Sequence, residues 1–346
     1  METLWFCLVA AMLTMYVVFD GFDLGAGIVH LYAARTDAER RTVLQSIGPV
    51  WDGNEVWLIA GGGTLYFAFP ALYASGFSGF YLPLMMVLWL FMLRGISIEL
   101  RHHIDNRVWQ PFWDVVFAGS SALLAIFFGA ALGNVVRGVP LNSEGWFFLP
   151  LWTDFLVGPK AGILDWYTVT VGLASFLTLT LHGALWVSMK TEGELQQRAR
   201  RMASHVWWGV AAFTLVVTVV TFRVQPHVPW RIWSEPWGLI FPLVALAGLF
   251  AMRRLNNVGA EVRAFLASCT YIVGMFTSVV FGLYPYVLPS NTNSAMSLDI
   301  FNAASGAYGL KVGLFWFVPG MILVTAYFIY IYRTFAGKVR LEEEGY

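Results

Sequence analysis

Charge is what this sequence has least of. Asp, Glu, Lys and Arg make up 12% of its 346 residues, about half the roughly 25% of a soluble domain. The 21 basic and 21 acidic residues cancel. No basic face is on offer to nucleic acid, and the RNA- and DNA-binding classes drop out. Cysteine is nearly absent: Cys7 and Cys269 stand alone in apolar runs, with no CxxC pair and no disulfide framework, and read as inert core thiols. There is no Walker loop and no Rossmann glycine fingerprint, so nucleotide-driven transport has no support. Histidine is sparse, and no HxxxH or HxxE spacing occurs. Long polar segments are missing too. Stretches such as Arg35–Arg41, Lys190–Arg201 and Arg253–Arg263 are too short to form a domain.

What the chain has instead is apolar mass. Hydrophobic residues reach 58%, mean hydropathy is +0.65, and 16 Trp and 28 Phe supply the aromatic load of lipid-facing helices and interfacial belts. The composition is that of an integral membrane protein, all-α and polytopic, with residues 1–346 forming a single membrane domain. The N-terminus has no basic leader region and no cleavage motif. Its apolar run flows straight into Asp20-Gly-Phe-Asp23 and reads as the first transmembrane helix. With about 20 apolar residues needed per span, the sequence predicts nine: about 4–31, 48–69, 75–98, 113–136, 162–188, 203–224, 236–252, 263–289 and 307–333.

Basic residues set the orientation, because short cytoplasmic loops hold the excess of Lys and Arg. The loops after spans 1, 3, 5 and 7 share a side with the C-terminus. That side holds Arg35, Arg40, Arg41, Arg101, Arg107, Lys190, Arg198, Arg200, Arg201, Arg253, Arg254, Arg263, Arg333, Lys338 and Arg340. The other side holds only Arg137, Lys160, Arg223 and Arg231, while Arg94 and Lys311 fall within spans. The imbalance predicts an N-terminus outside and a C-terminus in the cytoplasm.

Ionisable residues inside a bilayer are costly and mark functional sites by default. The first two spans carry Asp20 and Asp23, then Asp52 and Glu55. Each pair is spaced i, i+3 and so shares one helix face. Asp20 lies about 24 Å along the helix from Leu4, and Asp52 and Glu55 about 6–10 Å after the start of the returning helix. Both pairs therefore fall at similar depth in the cytoplasmic half. Arg94, near the inner end of the third span, reaches the same layer and is placed to pair with one of them. Carboxylates that cannot all ionise together hold protons. The functional reading is a proton path or the surroundings of a charged cofactor; the bland one is a structural knot of buried ion pairs. Glycines interleave with the acids, as Gly21 and Gly25 in a GxxxG spacing and as Gly61-Gly62-Gly63. Such spacing suits close helix packing, either within the chain or against another.

His30, His182 and His205 lie in or near spans and are the chain's candidates for a haem or metal ligand, but each reads better as a packed or interfacial side chain. Glu99, Arg101, His102, His103 and Asp105 form a polar run just inside the third span, either a solvated loop or a proton entrance.

Several strings carry a family resemblance. Asp20-Gly-Phe-Asp-Leu-Gly25 and Gly48-Pro-Val-Trp-Asp-Gly-Asn-Glu-Val-Trp-Leu58 resemble the signature of subunit II of cytochrome bd-type quinol oxidases. Arg94-Gly-Ile-Ser-Ile-Glu-Leu-Arg101, Tyr284-Pro-Tyr-Val-Leu-Pro-Ser290 and Asn302-Ala-Ala-Ser305 fit the same family, so the likeness spans almost the whole chain.

The resemblance implies a nine-helix, multi-pass subunit of the bacterial inner membrane, paired with a haem-bearing subunit I. That partner holds two b-type haems and haem d, or a third b-type haem, with none ligated by this chain. The complex oxidises quinol outside and reduces O2 to water with protons from the cytoplasm. A small single-helix accessory subunit and a bound structural quinone occur in some members. By resemblance, Asp20, Asp23 and Asp52 match the family's acidic positions, with Asp23 and Asp52 as candidates for proton delivery. Glu55 stands where some relatives have Gln. Trp57 matches a tryptophan beside a route for O2. Glu99 and His103 match an acid and a base near a proton entrance, with His in place of Lys. The rival from another class is an ion-coupled secondary transporter, which also carries intramembrane carboxylates. Such folds repeat their broken helices in corresponding halves, whereas here the acids gather in the first two spans.

Overall fold

A computed structural model describes residues 1–339, leaving Arg340 of the basic count outside the described residues. Twelve α-helices run in chain order: α1 (Glu2–Ala33), α2 (Asp37–Ile47), α3 (Trp51–Ala68), α4 (Pro70–Gly79), α5 (Tyr81–Leu100), α6 (Trp109–Arg137), α7 (Trp166–Lys190), α8 (Gly193–Val224), α9 (His227–Ser234), α10 (Ile240–Val258), α11 (Glu261–Leu283) and α12 (Ala307–Thr334). The only sheet among the described residues is a two-stranded antiparallel one, β1 (Tyr286–Leu288) on β2 (Leu298–Asp299).

Eight helices are long and apolar enough to cross a membrane: α1, α5, α6, α7, α8, α10 with its short lead-in from Pro236, α11 and α12. The remaining expected span corresponds to α3, whose 18 residues include Asp52, Asn54, Glu55 and three consecutive glycines and are correspondingly less apolar. Other boundaries differ for local reasons. The expected helix 75–98 is two: α4 starts at Pro70, a favoured first position, and α5 begins only at Tyr81. Helix α7 starts four residues late, where Asp165 accepts from the backbone N–H groups of Tyr167 and Thr168. Helix α8 begins ten residues early, because the polar run Gly193–Met202 continues it. Helix α11 stops at Leu283, ahead of Tyr284-Pro285, as the restriction on residues before proline predicts. Helix α2 was hidden in a polar stretch; Thr36 and Glu39 close a capping box at its start.

α1 is the central element, packed against α3, α6, α7 and α11. Every residue from Asp20 to His30 is buried. Helix α12 is the opposite case: of its residues only Leu310 is buried, so the helix lies along the outside. The two cysteines depart from the expected core placement, since Cys7 is exposed on α1 and Cys269 half-buried on α11.

The glycine spacing of α1 finds its partner inside the chain. A Cβ on Gly25 would strike the Leu179 carbonyl and Gly183 of α7, and one on Gly183 would strike the Gly25 backbone. The two backbones meet at a point only glycine allows. One end of the bundle is knitted by loops: the Trp5 indole donates to Leu310 O at 3.0 Å, and Ser305 N to Ala68 O at 2.9 Å. At the arginine-rich end Arg198 pairs with Glu39 and donates to Ala33 O at 2.7 Å, tying α8 to α1 and α2.

Gly183→Val is expected to remove the subunit from the membrane fraction. Gly119→Ala, whose Cβ would meet open space, leaves it at the wild-type level on an immunoblot.

Candidate functional site: carboxylates around one arginine

Asp20 and Asp23 lie one turn apart on α1, both with no exposed surface. From α5, Arg94, equally buried, donates Nη2 to Asp20 Oδ1 at 2.6 Å. From α3, Asn54 donates Nδ2 to Asp23 Oδ2 at 2.7 Å, and its Oδ1 accepts from the Tyr332 hydroxyl of α12 at 3.0 Å. Four helices thus converge on two carboxyls and a single guanidinium. Removing charges from water is expensive, and such a pair is held only where geometry and hydrogen bonds offset that cost. Here the offset is incomplete. Asp20 Oδ2, Asp23 Oδ1, Arg94 Nε and Nη1, and the Tyr16 hydroxyl are buried with no partner among the described residues. Buried groups with spare donors and acceptors are where protons and ordered water act.

Two further acids stand at the rim. Glu55 is half-buried on α3, within electrostatic reach of Arg94, Asp20 and Asp52, while Asp52 is exposed in the first turn of the same helix. Trp57, buried one turn farther along, stacks on Phe19 at 5.9 Å and meets Phe328 edge-on at 5.4 Å. Its indole nitrogen has no partner among the described residues. Glu99 and His103 are exposed at the end of α5, and the contact between them is His103 Nδ1 to the Glu99 backbone oxygen at 3.0 Å. No hydrogen bond among the described residues joins them to the Asp20–Arg94 pair.

A second network, not anticipated, surrounds Asp114 on α6. Asp114 is approached by Arg101 Nε at 2.6 Å, His30 Nε2 at 2.7 Å and Arg40 Nη1 at 2.9 Å, while Arg101 also reaches Asp37 of α2 at 2.8 Å. It binds α2 to α1, α5 and α6. Next to it, burial first and the nearby Arg101 and Arg41 cations second hold the His102 imidazole below its ordinary value.

The three candidate histidines are each held by protein groups. His182 has Nδ1 2.7 Å from Ser268 Oγ, donates Nε2 to Val18 O at 3.0 Å, and stacks on Phe265. His30 is held by Asp114, and the exposed His205 has Nδ1 on Arg201 O at 2.7 Å. No cluster of His, Cys, Asp and Glu among the described residues is arranged for a metal ion.

Asn54, Tyr332, Tyr16 and Asp114 escaped the sequence reading. Asn54 sits between Asp52 and Glu55 in the quoted string, and a search for partners as well as charges would have found it. Tyr332 comes from the far end of the chain and has no local signal.

Membrane-compatible helices closing over an internal carboxylate–arginine cluster define a polytopic membrane protein with a charged functional interior. Known proteins narrow the class. The description Cytochrome bd terminal oxidase subunit II matches residues 1–335. A probable cytochrome oxidase subunit 2 of Haemophilus influenzae is 30% identical, over 97% of this chain and 94% of its own length. The cytochrome bd ubiquinol oxidase subunit 2 of Bacillus subtilis is 31% identical, over 90% of this chain and 89% of its own. Among solved structures, bd oxidase from Geobacillus thermodenitrificans superposes with a TM-score of 0.75, covering 96% of this chain and 98% of that one. At 16% identity that likeness is one of fold. The chain belongs to the cytochrome bd terminal oxidase subunit II family. It is a multi-pass inner-membrane subunit of a quinol:O2 oxidoreductase complex and works with a subunit I. That membership decides against the transporter reading.

Arg94→Gln leaves Asp20 buried and alone, a change of about 3–5 kcal/mol for a broken buried pair. The purified complex is expected to lose activity at a lower temperature, and Asp20→Asn combined with Arg94→Gln to recover part of the loss. Equal thermal inactivation of Arg94→Gln and wild type would show that the pair contributes nothing.

Proposed function

We propose that this subunit delivers protons from the cytoplasm toward the O2-reducing site of its partner, with Asp52 and Glu55 taking up protons and Asp20 and Asp23 passing them on. The observation that carries this is the two-to-one ratio of buried carboxyls to guanidinium at Asp20, Asp23 and Arg94. One cation balances one carboxylate, so the second carboxyl has a proton to give and to regain. Asn54 and Tyr332 hold Asp23 in place and leave its other oxygen unengaged. Glu99 and His103 serve as an entrance on this reading, exposed at the inner end of α5, and Trp57 borders the O2 route.

The orientation that suits this role has nine spans, counting α3, with the N-terminus outside and the C-terminus cytoplasmic. The basic residues favour it. The haem-bearing subunit I covers the face built by α3, α5 and α12. Asp52 is exposed there and Glu55 half-exposed one turn deeper, and acids at a span's flank suit a protein neighbour better than lipid. Two b-type haems with haem d, or with a third b-type haem, belong to that partner. A structural quinone and a single-helix accessory subunit are compatible additions.

Proton delivery predicts that fully haem-loaded Asp23→Asn and Asp52→Asn complexes lose oxygen consumption by at least about tenfold, in the range of proton-transfer groups. Glu55→Gln retains more. A scaffolding role predicts wild-type turnover for all three once the complex assembles, and that outcome would end the proton-path proposal.

A further inference from the structure

We infer that the arginine-rich end of α8 and α10 is a binding site for the headgroup of an anionic phospholipid. Asn256 pins the two helices together there, donating to Arg200 O at 3.2 Å and to Ser204 Oγ at 2.9 Å, and the Trp207 indole donates to Leu249 O at 2.7 Å. Against this rigid base the Arg253 guanidinium lies over two indole rings at once, 4.6 Å from the centroid of Trp207 and 4.5 Å from that of Trp208. The two rings stand nearly at right angles, 5.0 Å apart, so the cation sits in the corner between them. Its single hydrogen bond, to Ser204 O, is stretched to 3.5 Å, so most of its donors are left for an acceptor outside the chain.

Charge at this end has no carboxylate partner among the described residues. Arg40, Arg41, Arg101 and Arg198, elsewhere on the same side of the bundle, each have a carboxylate within salt-bridge distance. Among the described residues, Arg253 and its neighbours Arg201 and Arg254 have none. A guanidinium with free donors matches phosphate in geometry as well as charge.

The surroundings make that phosphate a lipid's. Trp208 and Phe250 are each 61% exposed beside Arg253, where an aromatic belt meets the headgroup layer. Leu243, Leu246 and Phe250 form an exposed stripe at i, i+3, i+7 along α10 that runs up to Arg254. A headgroup on the arginines would lay its acyl chains down this stripe. Basic pockets between transmembrane helices at the cytoplasmic surface recognise anionic headgroups on this principle.

The test is native mass spectrometry of the delipidated, intact oxidase complex titrated with phosphatidylglycerol or phosphatidylcholine. Wild type is expected to take up phosphatidylglycerol in preference. Arg201→Gln with Arg253→Gln is expected to weaken that uptake about tenfold, the effect of losing charge-assisted contacts, with haem content and oxygen consumption unchanged. If the double variant fails to assemble, Arg253→Lys carries the test. It keeps the charge but loses the planar fork and the stacking, and is expected to give an intermediate preference. Equal uptake of the two lipids by wild type, or an unaltered preference in the variants, overturns the site. Displacement of phosphatidylglycerol by millimolar inorganic phosphate overturns the assignment to lipid.

Discussion

Two carboxylic acids and one arginine share a space with no exposed surface, and much of the architecture around them follows from that. In a bilayer a lone buried charge is among the most expensive things a helix can carry. The Asp20–Arg94 pair exists because α5 places its arginine at the depth of the α1 acids, while α3 and α12 supply Asn54 and Tyr332 to the second acid. These contacts join elements far apart in the sequence. The contacts that satisfy the buried acids therefore also fix how four helices sit.

Close backbone packing completes the enclosure. α1 meets α7 at Gly25 and Gly183 with no side chain between them, so the face of α1 behind the acids is sealed by protein. His182 and Phe265 fill the space beside it, both ring nitrogens of the histidine being engaged. At the arginine-rich end, Asp114 gathers Arg40, Arg101 and His30 and locks α2 across the bundle. One cluster thus gathers three basic side chains on one carboxylate, whereas the other sets two carboxyls beside one guanidinium. Only the second holds more carboxyls than cations.

Much of this was legible beforehand. Apolar length located the spans, and the i, i+3 spacing of Asp20 and Asp23 put both acids on one face with Arg94 at their depth. Glycine spacing announced a close contact without naming its partner, since nothing along α1 encodes which helix brings Gly183. Polar side chains in the middle of the network were harder. Asn54 carries no charge and Tyr332 lies in a helix that looks uniformly apolar, so neither stands out until the fold brings them together. Capping chemistry explains the boundary errors: Asp165 and Thr36 set helix starts through side-chain to backbone bonds that hydropathy does not register. Sequence spacing gives depth but not burial: Asp52 is exposed and Glu55 half-buried, while Asn54 between them is fully buried.

Helix α12 holds the most for the life of the protein in the cell. Almost nothing of it is buried, yet its Tyr332 secures the asparagine that steadies Asp23. Within the chain the helix is held at one end by Leu310 and Phe317 against Trp5 and at the other by Phe328 and Tyr332 against Phe19. Loosening at Tyr332 would release Asn54 and leave Asp23 less firmly held. On the proposed docking of subunit I along this helix, the contact that completes the complex would also hold the acidic interior closed.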